Sequence, residues 1–364
     1  MRTVVKIGST SLTKADGTVN AQSIDQVAAG VAELGRDGRE VVVVTSAAIA
    51  AGLAPMGWSS SRLPRDPAHL RAASAVGQIS LMENYRRVFA DHGRVVGQVL
   101  LAPTDFWIRN RYLKSRGTIR ALLELGAVPV INENDAVADD EIRFGDNDRL
   151  AALVAHLVDA DRLILLTDIA GLFTADPRID ESASLIEEIV SFDHRLEEMA
   201  GSSQSTVGRG GMASKLAAAK MATWSGVETI IANANRPGVL VDAANGKQGV
   251  GTVFRARKQR LSARKLWIAF AVRSSGQIQV DSGARLALER DQRSLLGAGV
   301  MSIQGSFDAD APVEVVDPNG EVFAKGLVRW RSDDLKRFSG RRSQDLPGEL
   351  PPEVIHRDDL VMLP

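Results

Sequence analysis

Short runs of apolar, mostly β-branched residues recur along the chain at Val4–Ile7, Val41–Thr45, Val95–Leu101, Val128–Asn132, Leu163–Thr167 and Thr229–Ala232. Each is four to seven residues long, the length of a buried strand. Between them lie longer segments whose apolar positions return at helical spacing. In Ala21–Arg36 these positions are Ile24, Val27, Ala28, Val31 and Leu34. Leu70–Ala90, Arg111–Leu125, Arg149–Leu157 and Met212–Trp224 read the same way. Strand and helix in alternation predict an α/β fold with a mainly parallel sheet and helices on both faces. In such folds ligands gather at the carboxyl ends of the strands.

The pattern changes near residue 254. Arg255–Lys265 holds six basic residues and no acid, which fits a solvated linker, an exposed helix or a basic handle for RNA. Beyond residue 272 strands and turns dominate. Gln277–Asp281, Val313–Val316, the turn Asp317-Pro-Asn-Gly320 and Val322–Arg329 predict a small, mostly β domain. The expected organisation is an α/β domain over 1–254, a basic linker over 255–273 and a β domain over 274–364.

Composition agrees with that outline. A chain of 364 residues suggests about two domains, and 45% hydrophobic with 24% charged residues is ordinary globular content. Disorder, collagen and coiled coil are excluded for the chain as a whole. The net charge of -1 gives no global reason to bind nucleic acid or an anionic membrane. Cysteine is absent, which excludes disulfides, thiolate catalysis and Cys-based metal sites. The start of the chain lacks the apolar stretch and cleavage site of a signal peptide. The longest apolar-looking stretch, Val41–Pro55, is broken by Thr45 and Ser46 and falls short of the ~20 residues a membrane helix needs. A soluble cytoplasmic protein is expected.

Candidate chemistry lies in five loops. No Walker A sequence and no protein-kinase signature set occurs, so any phosphate handling must use other loops. Val4-Val-Lys-Ile-Gly-Ser-Thr10 runs a strand into a Gly-Ser turn, with Lys6 near the strand end and Gly8 in the turn. Gly208-Arg-Gly-Gly-Met-Ala-Ser-Lys215 is a glycine-rich loop opening a helix, with Lys215 in its first turn. Glycines let backbone N–H groups approach an anion, and a helix N-terminus favours negative charge. The chain has 34 arginines and only ten lysines, so an ammonium at both glycine loops stands out. A turn and a helix cap with exposed lysines would explain each cluster separately. The third loop, Thr45-Ser-Ala-Ala-Ile-Ala-Ala-Gly52, admits either a ligand near its backbone or close packing. The fourth, Asn132-Glu-Asn-Asp135 followed by Gly145-Asp-Asn-Asp148, offers more polar groups than a helix cap requires, although Asp146, Asn147 or Asp148 could cap. The fifth is Leu165-Leu-Thr-Asp168, a strand ending in an acid, with a turn at Asp176-Pro177 behind it.

The five histidines, His69, His92, His156, His194 and His356, show no metal spacing. A carboxylate acceptor would suit a site without a positioned base. With a pKa of about 4.3 it is already ionised at neutral pH. It needs only positioning and charge neutralisation, which two lysines, loop amides and Mg²⁺ could supply.

These motifs, in this order, resemble the amino acid kinase family, and within it the branch that phosphorylates glutamate. The matching stretches are VVKIGST, VTSAAIAAG, PVINENDAVA, GDND, LLTDIAGLFTADPR and GRGGMASK. The carboxyl-terminal part, with its His356-Arg-Asp-Asp359 tail, is similar to a PUA domain. The resemblance implies a three-layer αβα sandwich with a mainly parallel sheet, followed by the small PUA domain. It implies ATP- and Mg²⁺-dependent phosphorylation of the L-glutamate γ-carboxylate, the first step of proline biosynthesis. Lys6 and Lys215 would flank the transferring phosphoryl group, with Asp148 holding both. Ser46, Asp135 and Asn147 would bind glutamate, Asp135 through the α-ammonium. Lys6, Gly8, Thr167, Asp168 and the run Arg209, Gly210, Gly211, Met212, Ala213, Ser214 and Lys215 would bind ATP, with Mg²⁺ carried by the nucleotide. Feedback inhibition by proline, with Pro55–Ser61 as its location, a homo-oligomer (dimer or tetramer) and a transient contact with the reductase that consumes the product are further implications.

Two positions depart from the family pattern. Ala47 stands where the family usually has glycine, and alanine does not adopt positive φ cheaply. Either its amide is used at negative φ or glutamate binding is weakened. Arg209 stands where the family usually has threonine, as a phosphate contact or a solvent-facing side chain. Rival readings are a family member with another acceptor (aspartate, N-acetylglutamate, carbamate or UMP) and an RNA-binding regulator. Residues Leu266–Pro364 carry twelve Lys/Arg against fifteen Asp/Glu, a poor electrostatic footprint for a phosphate backbone.

Overall fold

Valine and isoleucine runs form strands because β-branched side chains fit a pleated surface packed on both sides. The structure is a computed structural model. It describes residues 1–363 apart from 15, 59–65, 138–146, 176–178, 181, 191, 193–195, 197–210, 259 and 273. Contacts divide the chain into two compact units, Met1–Leu261 and Ser262–Pro364.

In the first unit, β1 (Arg2–Ile7), β2 (Glu40–Val44), β3 (Val96–Leu101), β4 (Val128–Glu133), β5 (Arg162–Thr167), β6 (Glu188–Ile189), β7 (Glu228–Asn233) and β8 (Gly251–Phe254) form one sheet. Their order is β3-β4-β2-β1-β5-β7-β8-β6. The six strands foreseen from the apolar runs are all present and mutually parallel, so their carboxyl ends share one edge. Among the described strands of this sheet, only the β7–β8 pairing is antiparallel.

The helices that cover this sheet or carry its polar edge are α1 (Ala21–Arg36), α2 (Ala48–Leu53), α3 (Pro67–Asp91), α4 (Arg109–Glu124), α5 (Asn147–Leu157), α6 (Met212–Trp224) and α7 (Val239–Ala244). α1 buries Ile24, Val27, Ala28, Val31 and Leu34, the five positions its periodicity marks. They join Val5, Ile7, Val41 and Val43 in one apolar cluster with Tyr85 and Phe89 of α3. Alternation along β1 sends Lys6 to the opposite face, which α5 and α6 cover. Helices on both faces of the sheet make the expected three layers.

α3 begins where Asp66 accepts a hydrogen bond from the Ala68 amide, with proline at the first turn. α2 crosses it at two glycines. A Cβ on Gly52 would lie 1.8 Å from the Ala73 carbonyl oxygen, and one on Gly77 would lie 1.9 Å from the Ala48 carbonyl oxygen. At Gly52 the small residues after β2 therefore serve close helix packing. In α5, burial pushes the His156 imidazole down to about 4, so it stays neutral at neutral pH.

The second unit is built on a five-stranded sheet. Its strands are β9 (Gly276–Val280), β11 (Val300–Gly305), β12 (Pro312–Val316), β13 (Val322–Leu327) and β15 (Leu360–Met362), in the order β11-β9-β12-β13-β15. A two-stranded ribbon of β10 (Leu295–Leu296) and β14 (Glu353–Ile355) accompanies it. Ile278, Val280, Val313, Val315, Phe323 and Trp330 fill its core, and Trp330 Nε1 donates to the Pro351 carbonyl. The turn after β12 forms as foreseen, with the Gly320 amide donating to the Asp317 carbonyl.

Several cations of the basic segment are engaged within their own unit. Arg255 bonds Glu188 and Glu228, and the Arg257 guanidinium lies 4.2 Å from the Trp224 ring centroid. Arg264 pairs with Asp359 at 2.5 Å. Among the described residues, no helix is long and apolar enough to cross a membrane.

Candidate active site at the carboxyl edge of the parallel sheet

One carboxylate joins the two glycine-loop lysines. Lys6, one residue before the end of β1, places Nζ 2.5 Å from Asp148 Oδ1. Lys215, four residues past Gly211 in the first turn of α6, places Nζ 3.1 Å from Asp148 Oδ2. Asp148 is 0% exposed, Lys6 3% and Lys215 6%. Two ammoniums share one carboxylate at the strand ends, where cations suit a phosphate. Asp148 is therefore more than a helix cap, because each of its oxygens meets a lysine.

Beside this bridge runs a ladder of amides. Asn147 Nδ2 donates to the Thr45 carbonyl at 2.6 Å, to Asn132 Oδ1 at 2.8 Å and to Ser46 Oγ at 3.2 Å. Asn132 Nδ2 in turn donates to Gln78 Oε1 at 2.9 Å. Ser74, one turn before Gln78 on α3, donates to Asp135 Oδ2 at 2.6 Å. Below Ser46, the buried Tyr85 hydroxyl donates to Thr45 Oγ1 at 2.9 Å, and burial holds its pKa well above the usual phenol value. The structure thus gathers Ser46, Asp135 and Asn147 along one edge, as the sequence suggested. It adds Ser74, Gln78 and Tyr85, which the sequence reading missed. All three sit on α3, whose helical pattern marks burial without naming polar partners.

Ala47 settles one of the two departures. It sits at φ 77°, ψ 9°, in the left-handed region, immediately before α2. Of the two alternatives, use of the amide at negative φ is overturned: alanine takes the glycine conformation itself. Its side chain belongs to the same apolar cluster as Ile7, Ala48 and Tyr85. Such a conformation costs an L-residue roughly 1–2 kcal/mol. Ala47→Gly is therefore expected to raise stability by up to about 1 kcal/mol, after the added unfolded-state entropy is subtracted. A urea midpoint that falls instead would show that the methyl's packing outweighs the strain.

On the other side of the bridge, Thr167 closes β5 and its hydroxyl donates to Asp168 Oδ1 at 2.9 Å. Asn233, at the end of β7, donates to the Asp168 carbonyl at 3.3 Å. Gly8 follows β1, and a Cβ built there would lie 3.9 Å from Lys6 Nζ, so the turn passes close to the ammonium. Gly211 is extended at φ -71°, ψ -178°, and Met212, Ala213, Ser214 and Lys215 form the first turn of α6. Arg209 and Gly210 lie outside the described residues, as do Asp146 and positions 59–61 of the segment expected to bind proline. Among the described residues, no group of three His, Asp or Glu side chains is placed to hold a metal.

An edge of parallel strands carrying a lysine–carboxylate–lysine bridge defines a phosphate-handling α/β protein. Comparison with known proteins makes this specific. The family model described as the amino acid kinase family matches residues 1–233, and that of the PUA domain matches residues 276–350. The chain belongs to the amino acid kinase family. Similar relatives are glutamate 5-kinases. That of Citrifermentans bemidjiense is 45% identical over 366 residues, covering 100% of this chain and 97% of the relative. That of Geobacter sulfurreducens is 44% identical over 366 residues with the same coverage. That of Frankia casuarinae is 46% identical over 368 residues, covering 100% of this chain and 96% of the relative.

Proposed function

We propose that this chain transfers the γ-phosphoryl group of ATP to the γ-carboxylate of L-glutamate, giving γ-glutamyl phosphate and ADP, the first step of proline biosynthesis. The Lys6–Asp148–Lys215 bridge at the strand ends carries the proposal. An ionised γ-carboxylate oxygen forms the new bond to phosphorus as the bond to the ADP oxygen breaks. No proton has to leave the acceptor, so no general base is required. The reaction needs in-line positioning and stabilisation of charge on the phosphoryl oxygens, and Lys6 and Lys215 supply that charge. Asp148 keeps both ammoniums at fixed positions, so they need no rearrangement as charge shifts.

Ser46, Asn147 and Asp135 bind glutamate, and Asp135 meets its α-ammonium as a fixed opposite charge. Lys6, Gly8, Thr167, Asp168 and the Arg209–Lys215 loop bind ATP. The donor set fits a nucleotide-borne Mg²⁺. Both Asp148 oxygens are occupied by lysines; Asp168, at the end of β5 among the residues assigned to ATP, would be the acid on the nucleotide side, and Mg²⁺ commonly takes one or two carboxylates plus phosphate oxygens and water. The ion supplies charge neutralisation on the phosphates. A cytoplasmic location, a dimer or tetramer, inhibition by proline near Pro55–Ser61 and direct transfer of the unstable acyl phosphate to a reductase complete the reading. It assigns catalysis to 1–254, with 255–273 leading into a PUA domain at 274–364. Arg255, Arg257 and Arg264, half of the basic residues in that segment, are engaged by neighbours, which favours a structural role for it over an RNA contact.

The test is ADP release from ATP and Mg²⁺ with L-glutamate, L-aspartate, N-acetyl-L-glutamate or no acceptor, with hydroxylamine trapping any acyl phosphate. Hydroxamate is expected with glutamate alone. Aspartate is one methylene shorter, and a ~1 Å displacement of the reacting carboxylate can cost about a hundredfold. Equal turnover with aspartate, or none with any acceptor from folded protein, overturns the assignment.

A further inference from the structure

Two anchored residues flank one peptide plane that is lightly held. Thr45, 0% exposed, is tied at every polar atom. Its N–H donates to the Ile131 carbonyl at 2.8 Å, and its carbonyl accepts from Asn147 at 2.6 Å. Its hydroxyl meets Tyr85 at 2.9 Å and the Ser46 carbonyl at 3.3 Å. A carbonyl can only accept, so the Thr45 proton points to Ser46 and the Tyr85 proton points to Thr45. Burial keeps the Tyr85 phenol protonated, so it remains a donor at neutral pH. Ala47 is anchored on its other side, where its carbonyl accepts from the Ala51 N–H at 2.9 Å and opens α2. Among the described residues, the carbonyl of the intervening Ser46–Ala47 peptide takes its hydrogen bond from this hydroxyl relay alone.

Ala47 gives that plane a reason to turn, because it stands at φ 77°. Carbonyl and N–H point opposite ways across a trans peptide. Rotation about ψ of Ser46 and φ of Ala47 exchanges them and brings Ala47 to negative φ, with both flanking anchors kept. For an L-residue the strain relieved favours the turned plane by about five- to thirtyfold in population. The same rotation takes the Ser46 carbonyl away from the Thr45 hydroxyl. A buried hydroxyl left without its acceptor opposes the turn by about five- to a hundredfold. The two effects are of one order, so the relay decides which orientation prevails.

We propose that Tyr85 and Thr45 are positioning residues for acceptor binding, their hydroxyl relay locking the Ser46–Ala47 peptide against a flip that alanine otherwise favours. The proposal rests on the assignment of glutamate to Ser46 and Asn147 and deepens it. A flipped plane turns a carbonyl oxygen to where the N–H now points, in the segment that carries the Ser46 hydroxyl, and so disfavours an anionic acceptor.

The test removes both hydroxyls, Thr45→Val with Tyr85→Phe, in the full-length protein, so that neither is left buried without the other. The KM for glutamate is expected to rise at least about fivefold, as the competent orientation becomes the minor one, with the KM for ATP within threefold of wild type. Adding Ala47→Gly should bring the glutamate KM to within about threefold of Ala47→Gly alone, because glycine takes either orientation readily. A crystal structure of the double variant should show Ala47 at negative φ, which reads the flip without turnover. Thermal unfolding checks that the double variant is folded. If it is not, Tyr85→Phe alone is read by the same φ and by the same KM ratio with and without Ala47→Gly. A glutamate KM within threefold of wild type with Ala47 still left-handed would mean that the hydroxyls only stabilise the core, and the proposal fails. It fails equally if the KM rises and Ala47→Gly does not lower it. Absence of glutamate-dependent turnover in wild type, with the flip present in the variant crystal, would instead overturn the glutamate assignment.

Discussion

Asp148→Asn is expected to lower kcat for glutamate-dependent ADP release at least a hundredfold and to destabilise the fold by roughly 3–5 kcal/mol. Both effects share one origin. Asp148 is wholly buried and supplies the negative charge between Lys6 and Lys215. Asparagine keeps the shape but removes the charge, leaving two buried ammoniums without the carboxylate that joins them. They can respond by moving apart or by losing a proton, and either response spoils the cationic pair that a phosphoryl group would meet. Urea unfolding reads the stability and the hydroxamate assay reads the rate. A variant of wild-type stability with kcat within threefold would show that the bridge is neither structural nor catalytic.

Lys215→Ala separates the two roles. Lys6 still neutralises Asp148, so the remaining pair is balanced, and stability should fall by much less than in Asp148→Asn. The rate should not be spared. Removing one donor that strengthens its contact as charge develops costs about 3–4 kcal/mol, or 10²–10³ in kcat. Because the lysine serves the transferring group, the KM for glutamate should move little while kcat falls. A raised glutamate KM with kcat intact would reassign Lys215 to acceptor binding. Lys215→Arg should recover only part of the rate, since a planar guanidinium does not reproduce a compact ammonium.

Much of this architecture was legible in the chain because local pattern and tertiary role coincide. The runs at β1, β2, β4, β5 and β7 are mostly apolar since both of their faces are covered, with buried polar side chains such as Lys6 and Asn132 near the carboxyl ends, and α1 repeats its stripe because one face alone is buried. What escaped the sequence reading depends on partners distant in the chain. β6 and β8 have two and four residues, too few for a period to show. Val300–Gly305, β11 of the second unit, carries exposed or half-buried side chains at most positions and so lacks an apolar signature. In the site, the lysines and Asp148 were legible because glycine loops and an acidic helix start mark them. Gln78 and Ser74 were not, since a polar residue on a buried helix face acquires meaning only from the residue opposite it. The left-handed backbone of Ala47 was likewise invisible, because alanine does not advertise it.

The crossing of α2 and α3 bears on redesign. Backbone meets backbone at Gly52 and Gly77, so the spacing of the two helices is as small as the chain allows. Enlarging either residue would wedge the segment that begins at Ser46 away from the helix that presents Ser74 and Gln78. An engineer wishing to lengthen or shorten the acceptor therefore has no adjustable spacer at this crossing. Retargeting must come from the tips of the ladder's own side chains, whereas drift at the two glycines would erase recognition without touching a single contact group.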